Sequence, residues 1–262
     1  MKIAGSVIIV TGASDGIGAE LARFLGARGA KLVLNARNGT RLLEVIPSAD
    51  PLIVAGDVTE PATRQRIAEE AIARFGRIDV LVNNAGAGLY SPAWKAPMAD
   101  VRRLMELNLF APLELTQLVV PHMRKQKAGT IVNIGSMAGK ITLPWFTLYS
   151  VSKYALGSLT EGLRMELKRD GIHSMIVCPG YVATNFQGHI LGGNVPSTVT
   201  RAKGLAITAE QCALDIIHGI EADKRTVVTP KLGWFVVAAS RMFPGMVQAQ
   251  LAKIHDRQQL SQ

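Results

Sequence analysis

Seven short apolar runs, rich in β-branched residues, recur along this chain. They lie at residues 6–10, 31–35, 52–55, 78–82, 130–134, 172–178 and 226–229. Between them the apolar residues change to helical spacing. Ile17, Leu21, Phe24 and Leu25 mark a helix between Gly16 and Gly29. Leu42, Leu43 and Ile46 suggest a short one that stops before Pro47. Pro61 opens another, where its missing N–H costs little, and this helix stops at Gly76. Longer helices are expected over about 98–127 and 147–169. Thr208-x-x-Gln211 resembles a capping box opening a helix to about Ala222. Parallel neighbours need a crossover, usually a helix, so strict alternation predicts one α/β domain over 1–262. Its sheet should be parallel and doubly wound, with seven strands and helices on both faces.

Composition narrows the class. With 48% hydrophobic and 19% charged residues, the 262-residue chain is not disordered. Two cysteines exclude a disulfide scaffold or a cysteine-based zinc site; Cys178 ends an apolar strand and Cys212 falls on a helix. His122, His173, His189, His218 and His255 show no metal-ligand spacing, so no metal is expected. The uncharged stretch 232–240 lies between Lys231 and Arg241, far short of the ~20 residues of a membrane-crossing helix. Met1-Lys2-Ile3 runs directly into the first strand without a signal-peptide pattern, and a cytoplasmic location is the expectation. The net charge of +9 comes from scattered residues, with short clusters at Arg102-Arg103 and at Arg124, Lys125 and Lys127. No basic run is interleaved with aromatics. This favours solvated basic faces with some attraction for anionic ligands over nucleic-acid binding.

The chemistry concentrates at strand ends. After the first strand comes Thr11-Gly12-Ala13-Ser14-Asp15-Gly16-Ile17-Gly18. Gly12 permits a sharp turn. Gly16 and Gly18 remove side chains where a pyrophosphate would approach a helix N-terminus, whose free N–H groups suit phosphates. Asp57-Val58 follows the third strand, and Asn83-Asn84-Ala85-Gly86 ends the fourth with small residues that leave backbone open to a ligand. Asn108 lies within Leu107-Asn108-Leu109, where a polar side chain needs a partner. Tyr149 and Lys153 stand four residues apart and share a helix face. A cation there favours phenolate, so the Tyr149 pKa is expected below its usual value near 10. Such a phenol can give and take a proton at a carbonyl/alcohol pair. Ser136, thirteen residues earlier, ends the fifth strand, where its hydroxyl can hold a substrate oxygen.

Taken in order, these motifs resemble the short-chain dehydrogenase/reductase family in its ordinary single-domain form, over nearly the whole chain. The glycine spacing is G-x-x-x-G-x-G rather than G-x-G-x-x-G. The resemblance implies a Rossmann-like fold, a nicotinamide cofactor, and hydride transfer to a carbonyl or from a secondary alcohol. It makes Tyr149 the acid and base. Lys153 lowers its pKa and binds the nicotinamide ribose, Ser136 holds the substrate oxygen, and Asn108 supports a water relay to Lys153. The cofactor would meet Gly12, Ser14, Asp15, Gly16, Ile17 and Gly18, the adenine contact Asp57 with Val58, and Asn84, Ala85 and Gly86. Pro179-Gly180-Tyr181-Val182-Ala183-Thr184 matches the segment that covers the nicotinamide, with Pro179, Gly180, Val182 and the hydrogen-bonding Thr184 in contact. Family members usually form dimers or tetramers, so a homo-oligomer is expected.

The choice of cofactor sits in Leu34-Asn35-Ala36-Arg37-Asn38. An acid here normally binds the ribose 2′-hydroxyl of NAD; the position is Ala36, while Arg37, next to Asn38, suits a 2′-phosphate. Asp15 weighs against this, since it could pair with Arg37 or repel the phosphate. NADP(H) is therefore favoured, with NAD(H) the alternative. A cofactor-binding sensor or scaffold without turnover is the rival from another class. Leu89, Tyr90, Trp94, Leu143, Trp145, Phe146, Phe186, Ile190 and Leu191 fall in loops near the open end of the sheet. They suggest a hydrophobic carbonyl or alcohol substrate, or else core packing beneath long loops. Residues 183–207, with Gly188, Gly192, Gly193 and Pro196, read as a long mobile substrate loop. In 231–262, Trp234, Phe235, Val236, Val237, Met242, Phe243, Met246 and Val247 crowd a stretch flanked by Lys231, Arg241, Lys253 and Arg257. This apolar contact surface is expected to pack as a lid or against another subunit, with peripheral membrane contact ranked second.

Overall fold

The structure, a computed structural model, describes residues 1–45, 50–192 and 206–259. Ile46, Gly193 and Pro196 lie outside the described residues, as do the side chains of 254–259, Arg257 among them. The first half runs β1 (Val7–Thr11), α1 (Gly16–Ala27), β2 (Lys31–Ala36), α2 (Gly39–Val45), β3 (Leu52–Ala55), α3 (Pro61–Phe75), β4 (Val80–Asn83), β5 (Gly88–Tyr90), α4 (Met98–Met105) and α5 (Ala111–Gln126). The second half runs β6 (Gly129–Ile134), α6 (Thr147–Glu166), β7 (Ile172–Pro179), β8 (Val182–Ala183), β9 (Ile190–Gly192), β10 (Ile207–Thr208), α7 (Ala209–Glu221), β11 (Thr226–Thr229), α8 (Gly233–Met242) and α9 (Pro244–Gln259).

All seven expected strands pair in parallel, in the order β11-β7-β6-β4-β1-β2-β3. The alternation of a pleated strand divides their side chains between two layers. Ile8 and Val10 enter a core with Leu21 and Leu25 of α1 and Ile216 and Ile220 of α7. Val7 and Ile9 enter a second core with Ile67 and Ala71 of α3 and Leu115 and Val119 of α5. Each such fully buried aliphatic side chain contributes about 1.5–3 kcal/mol. The chain order reverses between β1 and β4, which opens a crevice at their carboxyl ends, where doubly wound sheets take ligands.

Helix ends follow local chemistry. Pro61 starts α3, and Gly76, at φ 71°, ends it by returning its N–H to the Ile72 carbonyl. Thr208 caps α7 by accepting from the Gln211 N–H at 3.1 Å.

Two expectations change, and a segment for which the sequence predicts no elements gains them. The long helix over 98–127 is interrupted by a π turn at Glu106–Phe110, where the Ala111 N–H reaches back to the Glu106 carbonyl. Pro112 has no N–H to give the Asn108 carbonyl four residues earlier, so one bond of the α-helical ladder is missing at this turn. The described part of 183–207 is partly ordered rather than all loop: β8 pairs with β10, and β9 with β5. Finally, the C-terminal segment forms two helices, α8 and α9.

Candidate active site

At the crevice, two turns close on each other. A Cβ on Gly12 (φ 63°) would lie 2.9 Å from the Ala85 Cα, and one on Gly18 would lie 2.3 Å from the Gly12 carbonyl oxygen. Only glycine fits either place. Thr11 stitches the turns together: its hydroxyl accepts from the Asn84 and Ala85 N–H groups at 3.0 and 3.1 Å. The Asn84 amide in turn donates to the Thr11 and Gly12 carbonyls at 2.9 and 3.1 Å. Asn84, expected as a cofactor contact, therefore spends its side chain on holding the glycine turn. Thr11 was not singled out in the sequence, although a buried hydroxyl between strand and glycine was the available signal.

Asp15 caps α1, accepting from the Gly16 N–H at 2.7 Å. Its other oxygen lies 3.6 Å from the Arg41 guanidinium, so its ionic partner is Arg41 and not Arg37. Arg37 and Asn38 are exposed at the end of β2, and the Asn38 side chain accepts from the Arg41 N–H at the start of α2. Ser14 is half-buried in the turn, and Ile17 packs partly on the core. A Cβ on Gly16 would meet the Thr184 methyl at 3.1 Å, so the segment after β7 leans over the start of α1. Within it, Pro179 ends β7, the Gly180 N–H binds the Thr229 carbonyl, Val182 pairs with Ile207, and the Thr184 hydroxyl accepts from the Phe186 N–H at 3.3 Å.

Asp57 takes two hydrogen bonds from Thr59, at 2.9 and 2.8 Å. Burial pushes its carboxyl up, but these bonds and the nearby Arg37 and Arg103 charges hold it below its ordinary value. It stays ionised as an acceptor. The Val58 side chain is in the core, and its carbonyl accepts from the buried Arg64 at 2.7 Å.

The four expected catalytic residues converge from three elements. Ser136 follows β6 and accepts from the Ala138 N–H at 3.1 Å, and its hydroxyl lies close enough to the Tyr149 phenol to lower the phenol's pKa. Gly139 permits the approach, since a Cβ there would lie 2.7 Å from the Lys153 carbonyl oxygen. Lys153 is buried, with Nζ 2.8 Å from the Ile134 carbonyl oxygen and 5.8 Å from the centre of the Tyr149 ring. Asn108, fully buried in the π turn, accepts from the Ala87 N–H at 3.0 Å and donates to the Ala87 carbonyl at 2.9 Å. It also donates to Ser152 at 3.0 Å, and Ser152 donates to the Tyr149 carbonyl at 2.7 Å. Ser152 thus links the π turn to the catalytic helix. It lies inside the Tyr149-to-Lys153 motif but was not assigned a role, because spacing shows a shared face and not a partner.

One electrostatic expectation is overturned. The Tyr149 phenol is pushed up to about 12 rather than down: burial raises it and the nearby Ser136 hydroxyl recovers only part. The residue as a whole is half-buried, but its phenol is deep enough for desolvation to dominate. Burial likewise lowers Lys153 to about 8. At neutral pH Tyr149 therefore holds its proton, as a donor to a carbonyl must.

Aromatic rings wall the site. Phe146 and Phe186 lie 6.1 and 6.0 Å from the Tyr149 ring, and Tyr90 lies 5.1 Å from Phe146 and 5.5 Å from Trp145. Leu89, by contrast, is core, and Trp94 is exposed. The site fits a nicotinamide dinucleotide in three respects. The glycine cradle would be filled by any Cβ, Asp57 remains an ionised acceptor, and Gly86 has no side chain where Asn108 and Lys153 meet: a Cβ there would lie 3.2 and 3.5 Å from them.

Comparison with known proteins agrees. A family model described as short chain dehydrogenase matches residues 6–192. The mouse protein named dehydrogenase/reductase SDR family member 7B is 34% identical over 235 residues, covering 85% of this chain and 72% of that protein. Arabidopsis thaliana 11-beta-hydroxysteroid dehydrogenase 1A is 35% identical over 250 residues, covering 89% of this chain and 70% of that protein. A short chain dehydrogenase of Burkholderia cenocepacia, solved with NADP, superposes with a TM-score of 0.81 at 26% identity, over 96% of this chain and 99% of that one. Another solved structure of this fold carries NAD. With the glycine cradle, the Ser136-Tyr149-Lys153 cluster and these matches, the chain belongs to the short-chain dehydrogenase/reductase family and is an NAD(P)-dependent oxidoreductase.

Proposed function

We propose that the protein reduces a carbonyl, or oxidises the matching secondary alcohol, on a hydrophobic small molecule, with NADP(H) as its preferred cofactor. The observation that carries the reading is the convergence of the Ser136 hydroxyl, the Tyr149 phenol and the buried Lys153, whose Nζ lies 5.8 Å from the centre of the Tyr149 ring. When bound, the cofactor supplies or accepts the hydride. Tyr149 donates the proton to the carbonyl oxygen, and Ser136 holds that oxygen against the phenol. Lys153, cationic below about pH 8, favours the phenolate left behind. Asn108 and Ser152 fix the π turn against the Tyr149 backbone, so the phenol keeps its position.

Two features support the finer assignment. The rings of Tyr90, Trp145, Phe146 and Phe186 around Tyr149 favour an apolar substrate, in keeping with the relative named as a hydroxysteroid dehydrogenase. For the cofactor, β2 ends at Ala36 with no carboxylate, and Arg37 is exposed beside it. Asp15 accepts from the Gly16 N–H with one oxygen and has Arg41 3.6 Å from the other, which offsets part of its charge against a 2′-phosphate.

Consumption of NADPH and NADH with a panel of bulky apolar ketones tests the reading. Tyr149→Phe should lower kcat by roughly 10²–10⁴-fold while NADPH binding persists. Retained kcat would remove Tyr149 from its role. Arg37→Ala should lower kcat/KM for NADPH about 10- to 100-fold and spare NADH. A wild-type preference for NADH would overturn the cofactor assignment.

A further inference from the structure

We propose that α8 and the start of α9 form a docking face for an anionic lipid surface. From Gly233 to Ser240 the chain carries no charge, yet α8 buries only Gly233 and Val237. Phe235 and Met242 stand on the opposite side of the helix, 73% and 71% exposed, and Met246 beyond them is 72% exposed. Leu232, Trp234 and Phe243 extend the patch. A helix apolar all round needs cover on every side, and this one has it on one side only.

Charge chooses the occupant. No Asp or Glu lies between Asp223 and Asp256, while Lys231, Arg241 and Lys253 are exposed around the patch. A second copy packed face to face would bring two rims of cations together, with no acid in residues 224–255 of either copy to answer them. Anionic headgroups answer them, and the acyl boundary takes Phe235, Met242 and Met246. Among the described residues no helix is long and apolar enough to cross a membrane, so the face lies on the surface. Gly233, on the buried side of α8, rests on Met137, the neighbour of Ser136, with a Cβ position 3.1 Å from its sulfur, so the helix that carries the face packs next to the active site with its other side.

The test sediments the full chain with vesicles of equal parts phosphatidylglycerol and phosphatidylcholine, or of phosphatidylcholine alone. The protein should pellet with the anionic vesicles only, and less so as salt rises. The double variant Phe235→Asp with Met242→Asp should stay in the supernatant. Lys231→Ser with Arg241→Ser, a surface change, should weaken partitioning about 10- to 30-fold. Both should keep the solution activity of the wild type. Failure of the wild type to pellet with anionic vesicles would overturn the proposal, as would unchanged partitioning of both variants. So would a wild-type dimer that Phe235→Asp turns into monomers, since a second copy would then own the face.

Discussion

At Tyr149 and Lys153 the same burial acts in opposite directions, holding a proton on the phenol and pressing one off the ammonium. This has a consequence for stability that can be separated from catalysis. The folded-state pKa of Lys153 is about 8, against 10.5 for the free side chain. Between those values the unfolded chain binds a proton that the folded chain does not, so this residue makes stability rise with pH across that window. Below about pH 8 the folded protein carries a buried ammonium at a cost of up to about 3 kcal/mol. Lys153→Met should therefore melt higher than the wild type at neutral pH, with the advantage fading towards pH 10.5, while losing activity. A lower Tm for the variant at neutral pH would show that the bond to the Ile134 carbonyl outweighs desolvation. The residue identities at this site were legible because Ser136, Tyr149 and Lys153 have a characteristic spacing. The direction of the Tyr149 shift was not, because spacing reports which charges are near and not how much water has been excluded.

Among the elements, the interrupted helix does the positioning. Asn108 reaches both Ala87 and Ser152 from a π turn, and Pro112 stands four residues beyond it, where an α-helical N–H would be required. Pro112→Ala restores that donor and allows the segment to rewind as α-helix, turning Asn108 away from Ser152. Thermal stability should hold or rise, since Ala is the better helix residue, while kcat falls about tenfold or more and cofactor affinity stays within about twofold. Unchanged kcat would mean the π turn persists without proline. A second tie crosses elements: the buried Arg64 of α3 binds the Val58 carbonyl and the carboxylates of Glu114 and Glu106. Removing it in Arg64→Met leaves the buried Val58 carbonyl without that donor, at a cost of about 1–3 kcal/mol. Cofactor KM should rise more than kcat falls, because Val58 adjoins Asp57. Equal effects on the two would assign Arg64 to stability alone. The seven main strands were legible because each is a short run rich in apolar, β-branched residues between turn signals. β5 and β9 were not: each is three residues long, too short for any period, and they pair only across the fold. The π turn had one sequence signal, the Asn108-to-Pro112 interval, which helical periodicity alone passes over.

For the molecule as a whole, the excess of cations has a place to act. The chain carries a net +9, and Arg37 and Arg103 lie close enough to Asp57 to lower its pKa, so positive charge gathers at the Asp57 end of the crevice. The sheet reversal between β1 and β4 fixes that crevice, and the sequence had already placed its glycine turn and Asp57 at the ends of the first and third strands. What periodicity could not show was where the scattered arginines gather once the strands are ordered. A field of this kind raises the rate at which an anionic cofactor arrives and is screened by salt. Raising ionic strength from about 0.01 to about 0.15 M shortens the screening length from about 30 to about 8 Å. kcat/KM for NADPH should fall several-fold over that range, kcat at saturating cofactor should stay level, and NADH, with less charge, should respond less. Equal salt slopes for the two cofactors would show that the 2′-phosphate does not feel Arg37, and would count against the NADP(H) preference independently of the Arg37→Ala variant.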